Sequence, residues 1–242
     1  MRYTKESLLL LPPKCGSRYC ENFIHGENVS GESMGVSDDW ARHTPLKSVP
    51  ESIKNGRSVF VMTRDPYAWY ESWWRHMAAQ DFAYNAYWGH AIPSVRSDGS
   101  IFFPRNVPDF KTCLKDYLFG HSIRKNQRMS SKIVKADLSM IWGEDHLLNQ
   151  NKMDCGWWSY WMRYFSCDSL EWNTESRFIF LNESTDASLL ASGFELSDDR
   201  KVVGERPPNE RAPIRWDQEM ISWIKQADGP TLELVELQKV EV

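Results

Sequence analysis

Three short, continuous apolar runs stand out along the chain: Ser7 to Leu11, Arg57 to Thr63 with Val59-Phe60-Val61-Met62 at its centre, and Arg177 to Leu181. None alternates with polar residues, and each is bounded by turn formers. That pattern predicts strands buried on both faces, as in a parallel sheet. Each run is followed by a loop and a helix signal. After Pro12-Pro13 comes the small loop Lys14-Cys15-Gly16-Ser17 and then a predicted helix from Arg18 to about Ile24. After Thr63, Asp65 supplies an N-cap and Pro66 a first-turn proline for a helix to about Ala79. Ala187 to Gly193 reads as a short helix behind the third run. Strand, loop and helix repeating in that order predict an α/β fold with a central parallel sheet.

The rest of the chain carries weaker punctuation. Gly26 to Val49 is polar and reads as loop, with a short element near Trp40 to Thr44. Residues 81–169 read as mainly helical, interrupted by a loop or hairpin between Pro93 and Pro108, and form the predicted acceptor side. Gly156 to Phe165 has aromatics on nearly every helical face, which predicts a buried helix rather than a sugar platform. Trp216, Met220, Trp223 and Ile224 share one face of an amphipathic helix over Trp216 to Ala227. With 242 residues and no internal repeat, the chain reads as one domain, 1–242.

Composition changes the picture in two places. Twelve tryptophans and an aromatic share of 13% demand extensive aromatic burial. A net charge of −4 argues against general nucleic-acid binding, so any anion site has to be local. The five cysteines are odd in number and scattered, which predicts reduced thiols and no metal centre. Without an apolar run of signal or membrane length, the expectation is a soluble, cytoplasmic protein with no membrane partner.

Two constellations carry chemistry. In Pro13-Lys14-Cys15-Gly16-Ser17, between strand and helix, successive backbone N–H groups and the helix dipole suit a phosphate-like anion; Lys14 adds a full charge and Ser17 a hydroxyl. Gly16 permits close backbone approach. The triphosphate pattern GxxxxGK[ST] is absent. In Thr63-Arg64-Asp65-Pro66-Tyr67, Arg64 sits at the strand's end and Ser72 lies two helical turns on, so the pair is suited to grip one phosphate.

In this order and spacing the two motifs resemble the sulfotransferase family. The segment Phe60 to Trp74 looks most like the compact branch related to carbohydrate sulfotransferases. The resemblance implies a three-layer α/β/α, P-loop nucleoside-kinase-like fold and a sulfuryl donor, 3′-phosphoadenosine-5′-phosphosulfate. It implies that Lys14, Cys15, Gly16, Ser17, Arg18 and Tyr19 hold the 5′-phosphosulfate, and that Arg64 and Ser72 hold the 3′-phosphate. Arg206, in a late Pro/Gly-containing loop, is a further donor contact on the same grounds. The chain departs from the family's habit by carrying Cys15 and Arg18 inside the loop. The acceptor implied is a carbohydrate or other small molecule bearing a hydroxyl. A base must take that hydroxyl's proton; His43, between the two motifs, is the candidate and Glu32 its substitute. Lys14 is the second catalytic candidate, stabilising charge on the leaving phosphate oxygen. The scheme needs no metal. The basic stretch His121 to Lys135 reads as a solvated helix face or a seat for an anionic acceptor. Two alternatives stay open: a small P-loop kinase, and a nucleotide- or glycan-binding module without catalysis.

Overall fold

The computed structural model describes residues 1–25, 27–28, 42–79, 94–95, 101–102, 109–119, 155–167, 172, 174–197 and 214–242. Among these residues the fold is mixed α/β, built on a five-stranded sheet. Strands β1 (Arg2–Tyr3), β2 (Ser7–Leu10), β3 (Ile24–His25) and β4 (Glu27–Asn28) come first, with helix α1 (Ser17–Phe23) between β2 and β3. Helix α2 (Glu51–Lys54), strand β5 (Ser58–Thr63) and helix α3 (Pro66–Ala79) follow. The main sheet runs β4-β1-β2-β5, closed on its far side by β8 (Arg177–Phe180).

Strands β2, β5 and β8 are parallel neighbours, as their apolar runs predict. All four residues of β2 are buried, as are Phe60 to Thr63 of β5 and Phe178 to Phe180 of β8. The antiparallel extension of this sheet through β1 and β4 has no counterpart in the apolar pattern. Beyond β8 the chain's last residues add one more rung, Phe178 N–H to the Gln238 carbonyl and Val240 N–H to the Phe178 carbonyl, at 2.9 and 2.8 Å.

Within residues 81–169, β6 (Ser94–Val95) and β7 (Ile101–Phe102) pair antiparallel, which resolves the loop-or-hairpin expectation as a hairpin. Helices α4 (Phe110–Phe119) and α5 (Trp157–Ser166) are also described there. Every residue of α5 except Arg163 is buried, so its aromatic surface is core. The expected short element near Trp40 to Thr44 is absent from its described part; a 3-10 turn at Leu46–Ser48 comes next instead. After β8, helix α6 (Thr185–Ala191) begins two residues before the expected start, where Thr185 Oγ1 donates to the carbonyls of Phe180 and Asn182. A short strand β9 (Glu195–Leu196) pairs with β3.

The last helix, α7 (Gln218–Leu237), runs ten residues past its expected end. Asp228-Gly229-Pro230 reads locally as a stop. Met220, Ile224, Asp228, Thr231 and Val235 nevertheless form one continuous buried stripe, and packing along it outweighs the single amide that Pro230 removes. The helix starts two residues after the expected Trp216, at Gln218, because Asp217 caps it, accepting from Met220 N–H at 2.9 Å. No helix among the described residues is long and apolar enough to cross a membrane.

Candidate functional site

Both sequence motifs lie where parallel strands end. Continuing the register that pairs Leu10 with Val61, Arg64 comes level with Pro13 at the same edge of the sheet. Leu181, just past β8, donates its N–H to the Thr63 carbonyl at 2.9 Å and stands at that edge too. Turns at the C-terminal ends of adjacent parallel strands are where open α/β sheets leave a crevice for ligands.

The first turn is built by backbone conformation. Lys14 adopts φ 68° and Gly16 φ 89°, both left-handed, with the buried Cys15 between them. Cys15 N–H bonds to the Pro12 carbonyl at 3.2 Å, which closes the turn. A methyl group at Gly16 would lie 3.1 Å from Leu181 Cδ1 and 3.5 Å from Met62 Cε. The turn therefore rests on the ends of both neighbouring strands. Helix α1 is only seven residues long, so its dipole contributes less than the sequence suggests, and side-chain cations must supply most of the positive field.

The second turn is fixed by Asp65, whose Oδ1 accepts from Ala68 N–H at 3.1 Å and starts α3. Two tryptophans then hold the turns in place. Trp69 Nε1 donates to the Pro13 carbonyl at 2.9 Å, and Trp158 Nε1 donates to the Arg64 carbonyl at 2.9 Å. Sequence reading assigned neither of them a site role. The excess of tryptophan was the only trace of these contacts, because an indole chooses its acceptor in three dimensions.

The Arg64 charge reaches into the first turn. Burial pushes the Cys15 thiol well above the ordinary thiol range, and the Arg64 guanidinium partly opposes that shift. A thiol so raised stays protonated and is no nucleophile. Among the described residues, none accepts a hydrogen bond from the half-buried Arg64 guanidinium.

His43 joins the same neighbourhood. Its ring accepts nothing from Leu11; a carbonyl can only accept, so Nδ1 carries the proton and donates to the Leu11 oxygen at 2.6 Å. That leaves the Nε2 lone pair open to receive a proton. The residue keeps part of its surface exposed, yet its ring is densely surrounded. Burial lowers its pKa to about 3, the Leu11 bond opposes the shift, and the charges of the Met1 ammonium, Arg42 and Lys14 add to it. His43 is thus neutral at any ordinary pH and weakly basic.

The remaining candidates divide. Ser17 is partly buried at the start of α1, and Arg18 is exposed beside it. Tyr19 lies one residue further on, and its hydroxyl donates to the Asp186 carboxylate of α6. Ser72 lies in the second turn of α3, partly buried, and none of the described contacts joins it to Arg64. Arg206, Glu32 and the basic stretch His121 to Lys135 lie outside the described residues. Among the described residues, no three His, Cys, Asp or Glu side chains gather as a metal ion requires.

No family model matches the chain, and no curated protein or solved structure matches it either.

Proposed function

We propose that the chain is a sulfotransferase that binds 3′-phosphoadenosine-5′-phosphosulfate and transfers its sulfuryl group to a hydroxyl of a carbohydrate or other small molecule. One observation carries the reading: the Lys14 turn and the Arg64 turn stand at the ends of adjacent parallel strands, with the Arg64 charge felt at Cys15 inside the other turn. Two cationic turns at one sheet edge suit a ligand with two separated phosphate groups, and the fold belongs with this reading as a three-layer P-loop relative. The missing GK[ST] ending weighs against a kinase.

In this scheme the acceptor oxygen attacks sulfur in line, and the bond from sulfur to the bridging phosphate oxygen breaks as the new S–O bond forms. Lys14 receives the charge that grows on the departing phosphate. The acceptor's proton goes to Nε2 of His43. A base of such low proton affinity is weak in the free protein, but the donor's anionic groups oppose the nearby cations and raise its pKa once bound. That weakness is also the specific observation favouring a second reading, a binding module that seats the nucleotide without transferring its sulfuryl group.

Calorimetric titration with the desulfated product, 3′-phosphoadenosine 5′-phosphate, tests the reading. Lys14→Ala and Arg64→Ala are each expected to weaken binding by about tenfold or more, the scale of a lost charge-assisted contact. Unchanged affinity in both variants, or no binding by the wild type, sinks it. Tight binding without sulfation of any acceptor in a broad panel selects the module.

A further inference from the structure

The first turn of α5 is capped from outside its own segment. Its N-cap, Gly156, has no side chain to offer. The two orphan amides that follow are met by other helices: Trp158 N–H donates to the Tyr70 hydroxyl of α3 at 3.2 Å, and Ser159 N–H donates to Asp228 Oδ1 of α7 at 3.0 Å. The Tyr70 hydroxyl in turn donates to Asp228 Oδ2 at 2.8 Å. Gly156 N–H reaches the Ala227 carbonyl at 3.2 Å. Asp228 is fully buried, and among the described residues no cation lies within salt-bridge range of it. An ionised carboxylate so placed is held by oriented amides, a hydroxyl and the positive end of a helix.

From this cap a short path leads to the candidate donor site. Trp158, whose amide is fixed by Tyr70, is the residue whose indole holds the Arg64 carbonyl. We infer that Asp228 is a positioning residue for Arg64: its negative charge fixes the first turn of α5, and α5 through Trp158 fixes the guanidinium's backbone at the anion site. The link to ligand binding rests on the reading of Arg64 given under Proposed function.

The carboxylate can lose its charge under mild conditions. Burial raises the Asp228 pKa from 3.8 to about 6, opposed by the hydrogen bonds from Ser159 and Tyr70. The Ser159 hydroxyl lies close enough to act on that equilibrium, although its Oγ makes no hydrogen bond of good geometry. The groups facing the site are Tyr67 and Tyr70 from α3, with Cys155 ahead of α5; Arg163 of α5 donates instead to Thr231 Oγ1 at 3.2 Å. Burial raises both tyrosine hydroxyls, helped by the Asp228 charge at Tyr70 and by Asp65 and then Asp228 at Tyr67, so they stay neutral while Asp228 titrates. Protonation leaves Tyr70 Oη and Ser159 N–H competing for a poorer acceptor, and the cap slackens.

The test uses two readouts on the full chain. The Trp158 indole N–H resonance, assigned by its loss in Trp158→Phe, is expected to titrate with a midpoint near 6 in the wild type and to stay flat in Asp228→Asn. Affinity for 3′-phosphoadenosine 5′-phosphate at about pH 7.5 is expected to fall roughly two- to tenfold in Asp228→Asn, the scale of one hydrogen bond. The ligand's own phosphate titrates near pH 6. The quantity to follow is therefore the ratio of variant to wild-type affinity, which should approach one as the pH falls to about 5. Should Asp228→Asn not fold, Trp158→Phe carries the second arm, with a similar loss of affinity expected. An indole signal that ignores pH, or equal affinities across the range, overturns the inference. An indole that titrates in a protein whose ligand affinity ignores Arg64→Ala keeps the coupling and removes the donor reading instead.

Discussion

Trp69 of α3 donates its indole N–H to the carbonyl of Pro13, 2.9 Å away, so the helix that begins at the second turn physically braces the first. The indole is fully buried and stacks on Trp73 with ring centroids 4.7 Å apart. Trp69→Phe keeps most of the apolar volume but leaves the Pro13 oxygen without this donor. A loss of about 1–3 kcal/mol in denaturant unfolding is expected. Affinity for 3′-phosphoadenosine 5′-phosphate should fall with it, because the Lys14 turn loses its brace; unaltered affinity would show that the turn keeps its shape alone.

Gly16→Ala strains the backbone, since φ 89° is a conformation that alanine avoids. The new methyl also presses on the Leu181 side chain at 3.1 Å, a contact that a small rotation relieves. Backbone strain therefore dominates, and a destabilisation of about 1–3 kcal/mol is expected from chemical denaturation.

Gly156→Ala fails for a different reason. Its φ of −68° suits any residue, but a Cβ would lie 2.4 Å from Asp228 Oδ1. The carboxylate must move and lose the Ser159 and Tyr70 bonds while still buried. Breaking the partners of a buried charge costs roughly 3–5 kcal/mol, which makes this the more damaging of the two glycine substitutions. A smaller loss in Gly156→Ala than in Gly16→Ala, measured under the same conditions, contradicts this account.

His43 and Asp228 give stability opposite dependences on pH. The folded His43 has its pKa lowered from 6.5 to about 3, so the unfolded chain binds the extra proton and stability from this group is lost as pH falls through that interval. The folded Asp228 has its pKa raised from 3.8 to about 6, so its contribution is fully present below 3.8 and lost as pH rises through 6. Each slope is about 1.4 kcal/mol per pH unit, and they oppose one another where the intervals overlap. Relative to wild type, His43→Gln should therefore gain stability as pH falls from 6 towards 4, and Asp228→Asn should lose it. Parallel profiles for wild type and either variant would contradict the assignment of that group.

What the sequence determined by itself was local. Continuous apolar runs identified β2, β5 and β8, because strands covered on both faces need no polar residue. Asp65 marked a helix start, because a carboxylate three residues before an orphan amide satisfies it without help from the rest of the chain. The Lys14 and Arg64 turns were legible as cationic loops for the same reason. Tertiary structure alone decided that the two turns share one edge, since strand register depends on partners far apart in the chain. It also carried α7 through Pro230 and buried Asp228 within it, against a local stop signal. The weak basicity of His43 belongs to the same class: its ring chemistry follows from how much water and charge the folded chain leaves around it, and no neighbour in sequence records that.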